Sequence, residues 1–166
     1  FGTAGTAYGQ AVTGITSTKH NLSTSGAANV GQTIYSDNAE ICIFCHTPHA
    51  ATKNNNITLW NRTLSGNLNY GVYTSPTFDG AVDVADVGAA GKVFPADAVG
   101  TNLCLSCHDG TVALNSVINS SNFNPVINMT VTPEGGNVIP AGRTTNLGTD
   151  LTDDHPVNFT YPTTDL

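Results

Sequence analysis

The side chains most able to do chemistry here are four cysteines and five histidines. All four cysteines fall in two copies of one pattern, Cys42-Ile43-Phe44-Cys45-His46 and Cys104-Leu105-Ser106-Cys107-His108. C-x-x-C-H is the pattern that attaches a c-type haem. The two sulfurs become thioethers on the porphyrin edge, and the adjoining histidine reaches the iron. One turn of helix suits this, because residues three apart share a face and the next residue can point its ring under the plane they define. The alternative chemistry is a zinc site of two C-x-x-C knuckles. Zinc ribbons separate their pairs by about 15–20 residues, and the insert between Cys45 and Cys104 is much longer. Zinc also leaves the histidine after each pair without a task. Two covalent haem c groups, attached at Cys42, Cys45, Cys104 and Cys107, use every residue of the pattern.

Two irons with histidine on both faces need four histidines. His46 and His108 are the proximal ligands, leaving His20, His49 and His155 for two distal positions, with one spare. His49 is too close to His46 in sequence to cross to the other face of the same haem. As a ligand it serves the other haem or one in a neighbouring subunit. His20, close to the amino terminus, is the best candidate for a ligand donated across a subunit boundary. His155 is far from both motifs and can return to either iron. Met129, the one methionine, would raise the potential as an axial ligand, but with histidines in surplus its expected role is packing. An iron closed on both faces passes electrons and has no vacant position for oxygen, peroxide or nitrite. Bis-histidine ligation also favours a lower potential than a histidine–methionine site, tuned further by burial and by hydrogen bonds to the imidazoles.

The elements that must position these residues are short. Asp37 with Glu40 three residues on has the form of a capping box for a helix carrying the first motif, and Pro48 ends that helix early. Thr101 or Asn102 is expected to cap the second motif's helix. Asp109-Gly110 interrupts it, and Val112, Leu114, Val117 and Ile118 mark a resumption. Residues 57–78, with Trp60, Tyr70, Tyr73 and Phe78, read as haem-covering loop or short strands, and residues 79–100 as surface loop. Alternation over residues 126–131 before Pro133-Glu134-Gly135-Gly136 predicts a small hairpin. Residues 1–19 hold few large apolar side chains and read as an extended amino-terminal arm, and residues 20–166 as the diheme domain.

Composition fits that picture. Charged residues are 10% of the chain against about a quarter in ordinary domains, and Thr, Asn, Ser and Gly fill much of the rest. So few large aliphatics make a thin core, which two apolar haems would complete. The expected fold class is a small, mostly irregular, loop-rich domain with a few short α-helices and a minor β-hairpin, wrapped around two haems. A net charge of −7 leaves nothing to neutralise a run of phosphates, so nucleic acid is excluded as a partner. A basic redox protein or a metal species suits it better. No apolar run approaches the roughly 20 residues of a membrane span. Covalent haem attachment takes place outside the cytoplasm, so Phe1 is expected to follow a processed leader. Scarce charge also suits a chain that buries surface against copies of itself. The N-x-S/T triplets, such as Asn56-Ile57-Thr58 and Asn128-Met129-Thr130, arise easily in a chain this rich in Asn and Thr and do not establish glycosylation.

His20-Asn21-Leu22-Ser23, C-x-x-C-H-T-P-H over residues 42–49, Leu59-Trp60-Asn61-Arg62, Cys104-Leu105-Ser106-Cys107-His108-Asp109-Gly110-Thr111 and His155-Pro156-Val157 occur in that order. Over residues 20–161 the chain resembles multihaem cytochromes c of the doubled C-x-x-C-H type found in metal-reducing bacteria. Some members of that wider group polymerise into extracellular filaments, in which a histidine of one subunit completes a haem of the next. The resemblance implies haem attachment at the four cysteines, His46 and His108 as proximal ligands, His20 as an inter-subunit ligand, and His49 and His155 as the other distal candidates. With two haems only, a filament of this chain must hold both close to subunit boundaries.

The expected function is electron transfer by a secreted, self-associating, extracellular cytochrome that exchanges electrons with redox proteins or extracellular metal acceptors. Removing residues 1–20 should then abolish assembly and leave one haem without its sixth ligand. The alternative is a monomeric diheme carrier in the periplasm. An enzyme such as a diheme peroxidase needs a displaceable ligand and an acid–base pocket, and no such pocket is legible, so no catalytic residue is expected.

Overall fold

A chain this poor in aliphatic side chains must find another way to hold itself together. The computed structural model of the protein describes residues 14–51, 59–66, 69–78, 85–86, 92–93, 99–120 and 126–159. Residues 1–13 of the expected arm, the Asn56-Ile57-Thr58 triplet, Tyr161 and parts of 79–98 lie outside the described residues. The elements run in order as a 3-10 turn at Ile15–Ser17, α1 (Thr24–Val30), β1 (Ile34–Ser36), a 3-10 turn at Cys42–Phe44, β2 (Ala85–Asp86), β3 (Lys92–Val93), α2 (Val99–His108) and β4 (Met129–Val131). Long irregular segments join them. The loop-rich class with few short helices is what the composition led one to expect. Among the described residues no helix is long and apolar enough to cross a membrane.

α1 has clear local causes. The Ser23 hydroxyl accepts from the Ser25 amide at its start, and Gly31 ends it in the left-handed region at φ 58°, the conformation glycine adopts at least cost. The first haem motif departs from expectation. Asp37 does not cap a helix, because its carboxylate takes the amide and the side-chain nitrogen of Asn128 at 2.9 and 2.6 Å. Asn38 makes the turn instead, its side-chain oxygen accepting from the Glu40 amide at 2.6 Å, and only the 3-10 turn Cys42–Phe44 follows. The second motif lies on α2, which starts at Val99, so Thr101 and Asn102 are inside the helix and do not cap it. Gly110, at φ +70° with Asn146 packed where a Cβ would stand, turns the chain out of α2. The helix does not resume over Val112–Ile118; turns and a bridge from Val117 to Arg62 take its place.

The strands also differ from the local hairpin expected at 126–136. β4 pairs antiparallel with β1, Ile34 opposite Val131 and Ser36 opposite Met129, so its partner lies far back in the chain. A small antiparallel pair of β2 and β3, Ala85 opposite Val93, falls in the stretch read as loop. Apolar packing is split between the two motifs. Ile43, Phe44 and Ile127 cluster at the first, with Leu22, Cys45, Val117 and Met129 against them. Tyr70, Leu105 and Leu151 cluster at the second, with Val72 and Val157. Met129 therefore packs, as expected. The largest fully buried side chains are mostly polar, among them Arg62, Asn21, Asn38 and Asn61. Burying such groups is tolerable only when they are hydrogen-bonded, and these knit loops to one another through main-chain carbonyls and amides.

Candidate functional site

Both cysteine pairs sit on a single helical turn. In the first, the amides of Cys45 and His46 both donate to the Cys42 carbonyl, at 3.1 and 2.8 Å. Cys42 is exposed and Cys45 half-buried, and the second pair repeats this, with Cys104 exposed and Cys107 half-buried. All four thiols are free. Burial pushes the Cys45 thiol up, the neighbouring Cys107 adding to it and Arg62 opposing. Cys107 is pushed up by burial as well, again opposed by Arg62. Cys45 feels Cys107, and both feel Arg62, so the two motifs are close neighbours. Among the described residues no three His, Cys, Asp or Glu side chains converge as a metal-binding group.

His108, in the last turn of α2, is oriented by a strap formed by residues 145–147. Its Nδ1 lies 2.6 Å from the Thr145 carbonyl, and the Leu147 amide donates to the His108 carbonyl at 2.7 Å. A carbonyl can only accept, so Nδ1 carries the proton and Nε2 presents its lone pair. Metal-binding histidines are oriented in this way. His155 has the same arrangement, with Nδ1 3.1 Å from the Pro156 carbonyl.

The ring facing His108 belongs to His20. Their centroids are 6.2 Å apart, with planes at 76°. With metal–imidazole bonds of about 2.0–2.1 Å, His20 and His108 at this spacing are the two residues that would hold one metal-bearing group between them. His20 is held in place from its own loop. The buried Asn21 donates to the Thr16 carbonyl and to Ser25 Oγ, each at 3.0 Å. Gln32 donates to the carbonyls of Lys19 and Asn21.

His46 has a different neighbour. It bridges antiparallel to Trp60, whose ring meets it edge-on at 6.0 Å and 86°. The Thr47 amide donates to the Leu59 carbonyl at 2.8 Å, and the Asn61 amide to the Cys45 carbonyl at 2.9 Å. His49 is exposed, while its backbone is pinned by the Asn119 side chain donating to its carbonyl at 2.6 Å. His155 is exposed too, and Val157 two residues on packs with the cluster at the second motif. The structure thus brings His20 to His108, while the His46 ring meets that of Trp60. Leu59, Leu147 and Ile15, near Trp60, His108's strap and His20 along the chain, are exposed apolar side chains.

Residues 60–62 join the two motifs, a role the sequence reading did not assign. The fully buried Asn61 side chain donates to the carbonyls of Ile43 and Asn119 at 2.7 and 2.9 Å, and accepts from the Asn119 amide at 2.9 Å. Arg62 donates to the carbonyls of Leu114, Ser106 and Ala113 at 2.6, 2.9 and 3.0 Å. The only hint in the sequence was an arginine in a charge-poor chain immediately after Trp-Asn. Tyr70 donates to the buried Asp109 at 2.7 Å, fixing the residue that follows His108. No protein-family model matches the chain, and no curated protein matches it.

Proposed function

We propose that this chain is an electron-transfer protein carrying two covalently attached c-type haems. Cys42 and Cys45 hold one and Cys104 and Cys107 the other, with His46 and His108 as their proximal ligands. The observation that carries the reading is the His20–His108 pair, with Nδ1 of His108 already engaged by a carbonyl. Each haem, when bound, supplies a one-electron ferric–ferrous couple, taking an electron from a reduced donor and passing it to an oxidised acceptor. The polypeptide presents the thiols on single turns, orients the imidazoles and offers Leu59, Leu147 and Ile15 as apolar cover.

The contact within one chain supports His20 as the distal ligand of its own second haem rather than a neighbour's. His49 and His155, both exposed, are then the candidates for the first haem, and either can come from another copy. This is the basis for a self-assembling, secreted cytochrome, extracellular or at the cell surface, with haems close to the boundaries between copies. The within-chain pairing equally serves the second reading, a monomeric periplasmic carrier, for at least one of the two haems.

The test is the protein purified from a host that attaches haem covalently. Two thioether-linked haems per chain by pyridine haemochrome and mass spectrometry are expected, low-spin in both oxidation states. Colourless protein, or a resting high-spin spectrum with peroxide turnover, would overturn the reading. Size-exclusion chromatography and negative-stain imaging decide the assembly: filaments or oligomers that His49→Ala or His155→Ala disperses support it, and a plain monomer removes it.

A further inference from the structure

Arg62 is wholly buried, at 0% exposure, in a chain with only five lysines and arginines. A buried guanidinium is costly unless it is hydrogen-bonded, and here Nη1 and Nη2 donate to three carbonyls around the second motif. One of these, Ser106, lies inside the second motif, one residue before Cys107. The residue preceding Arg62 is tied to the first motif through the Cys45 and Ile43 carbonyls. Two consecutive residues therefore grip the two motifs, Asn61 the first and the Arg62 guanidinium the second.

Resting on the haem reading above, we propose that Arg62 is a positioning residue shared by both haem sites, one buried cation that fixes the motifs' separation and raises both reduction potentials. The physical reason is direct. A fixed positive charge in a low-dielectric interior favours the state holding one more electron, and salt screens it far less than a surface charge. The planar fork of Arg62 matches several carbonyls at once, which lysine's single ammonium does less well.

The experiment uses the diheme holoprotein and compares Arg62→Met with Arg62→Lys by optical redox titration and by electron paramagnetic resonance of the coupled haems. In Arg62→Met the ferrous-to-ferric ratio at fixed potential should fall about tenfold at each haem, a shift of about 59 mV for one electron. Arg62→Lys should restore most of that shift while the altered inter-haem spin coupling persists, because charge returns without the fork. Unmoved midpoints in a low-spin Arg62→Met holoprotein, or a shift at one haem alone, would overturn the inference. If Arg62→Met does not mature, Arg62→Gln is compared with Arg62→Lys. Lower midpoints at both haems in the glutamine variant support the proposal, and equal midpoints overturn it. Wild-type protein without haem would refute the haem reading itself, a result distinct from any of these.

Discussion

Replacing His20 by alanine in the haem-loaded protein separates ligation from structure. The His20 residue is exposed, and the hydrogen bond that its amide donates to Thr18 Oγ1 at 3.3 Å needs no imidazole. The loop is braced by Asn21 and Gln32, which stay. Folding should therefore change by no more than about 0.5 kcal/mol, as for ordinary surface substitutions. Among the described residues the ring meets one imidazole, His108 at 6.2 Å, so on the proposed haem reading one iron of the two would lose a ligand. Absorption and electron paramagnetic resonance spectra should then show half of the haem turned high-spin and the other half unchanged, with added imidazole restoring the low-spin signal. A folded His20→Ala protein that stays entirely low-spin would refute the pairing. So would one in which both haems turn high-spin.

Asn61→Ala removes three buried hydrogen bonds, to Ile43, to Asn119 and from Asn119, and at about 1 kcal/mol each should cost about 3 kcal/mol; a denaturation midpoint equivalent to under about 0.5 kcal/mol would contradict the interlocking role. Gly110→Ala, at φ +70° and against Asn146, should cost at least about 1–2 kcal/mol for the left-handed backbone, and unaltered thermal stability would count against that turn. Glu134 is held below the usual carboxylate range by its hydrogen bond from Arg143. A depressed folded value stabilises above the unfolded value, near pH 4.3, and that stability is lost as pH falls through the folded one. Glu134→Gln should thus be less stable than the parent at neutral pH, with the difference closing in acid, and a difference that stays constant down to the acid limit would disprove the linkage.

What could be read in advance follows from range. The motif turns are local: Cys42 to His46 need only one turn, which was legible from spacing, though the first turn ends at Phe44 and not at Pro48. The thin interior was legible from composition. The first motif's cap was not, because Asp37 and Asn38 are chemically near-equivalent turn formers, and the choice went to whichever was not claimed by Asn128. Pairing of Ile34 with Val131 depends on contacts across most of the chain, which no local pattern encodes. The buried ties escaped notice for a related reason. Asn21, Asn61 and Asn119 look like loop residues in sequence, and only their three-dimensional setting shows that they satisfy carbonyls of other loops. Arg62 is the same case with a charge.

The polar interior has a thermal consequence. Unfolding raises heat capacity through exposed apolar area and lowers it through exposed polar area. A polypeptide whose fully buried side chains, among the described residues, are mostly asparagine, serine and arginine has the two contributions partly cancel, so its own free-energy curve against temperature is shallow. Cooling strengthens it little, and warming erodes it gradually rather than along a steep dome.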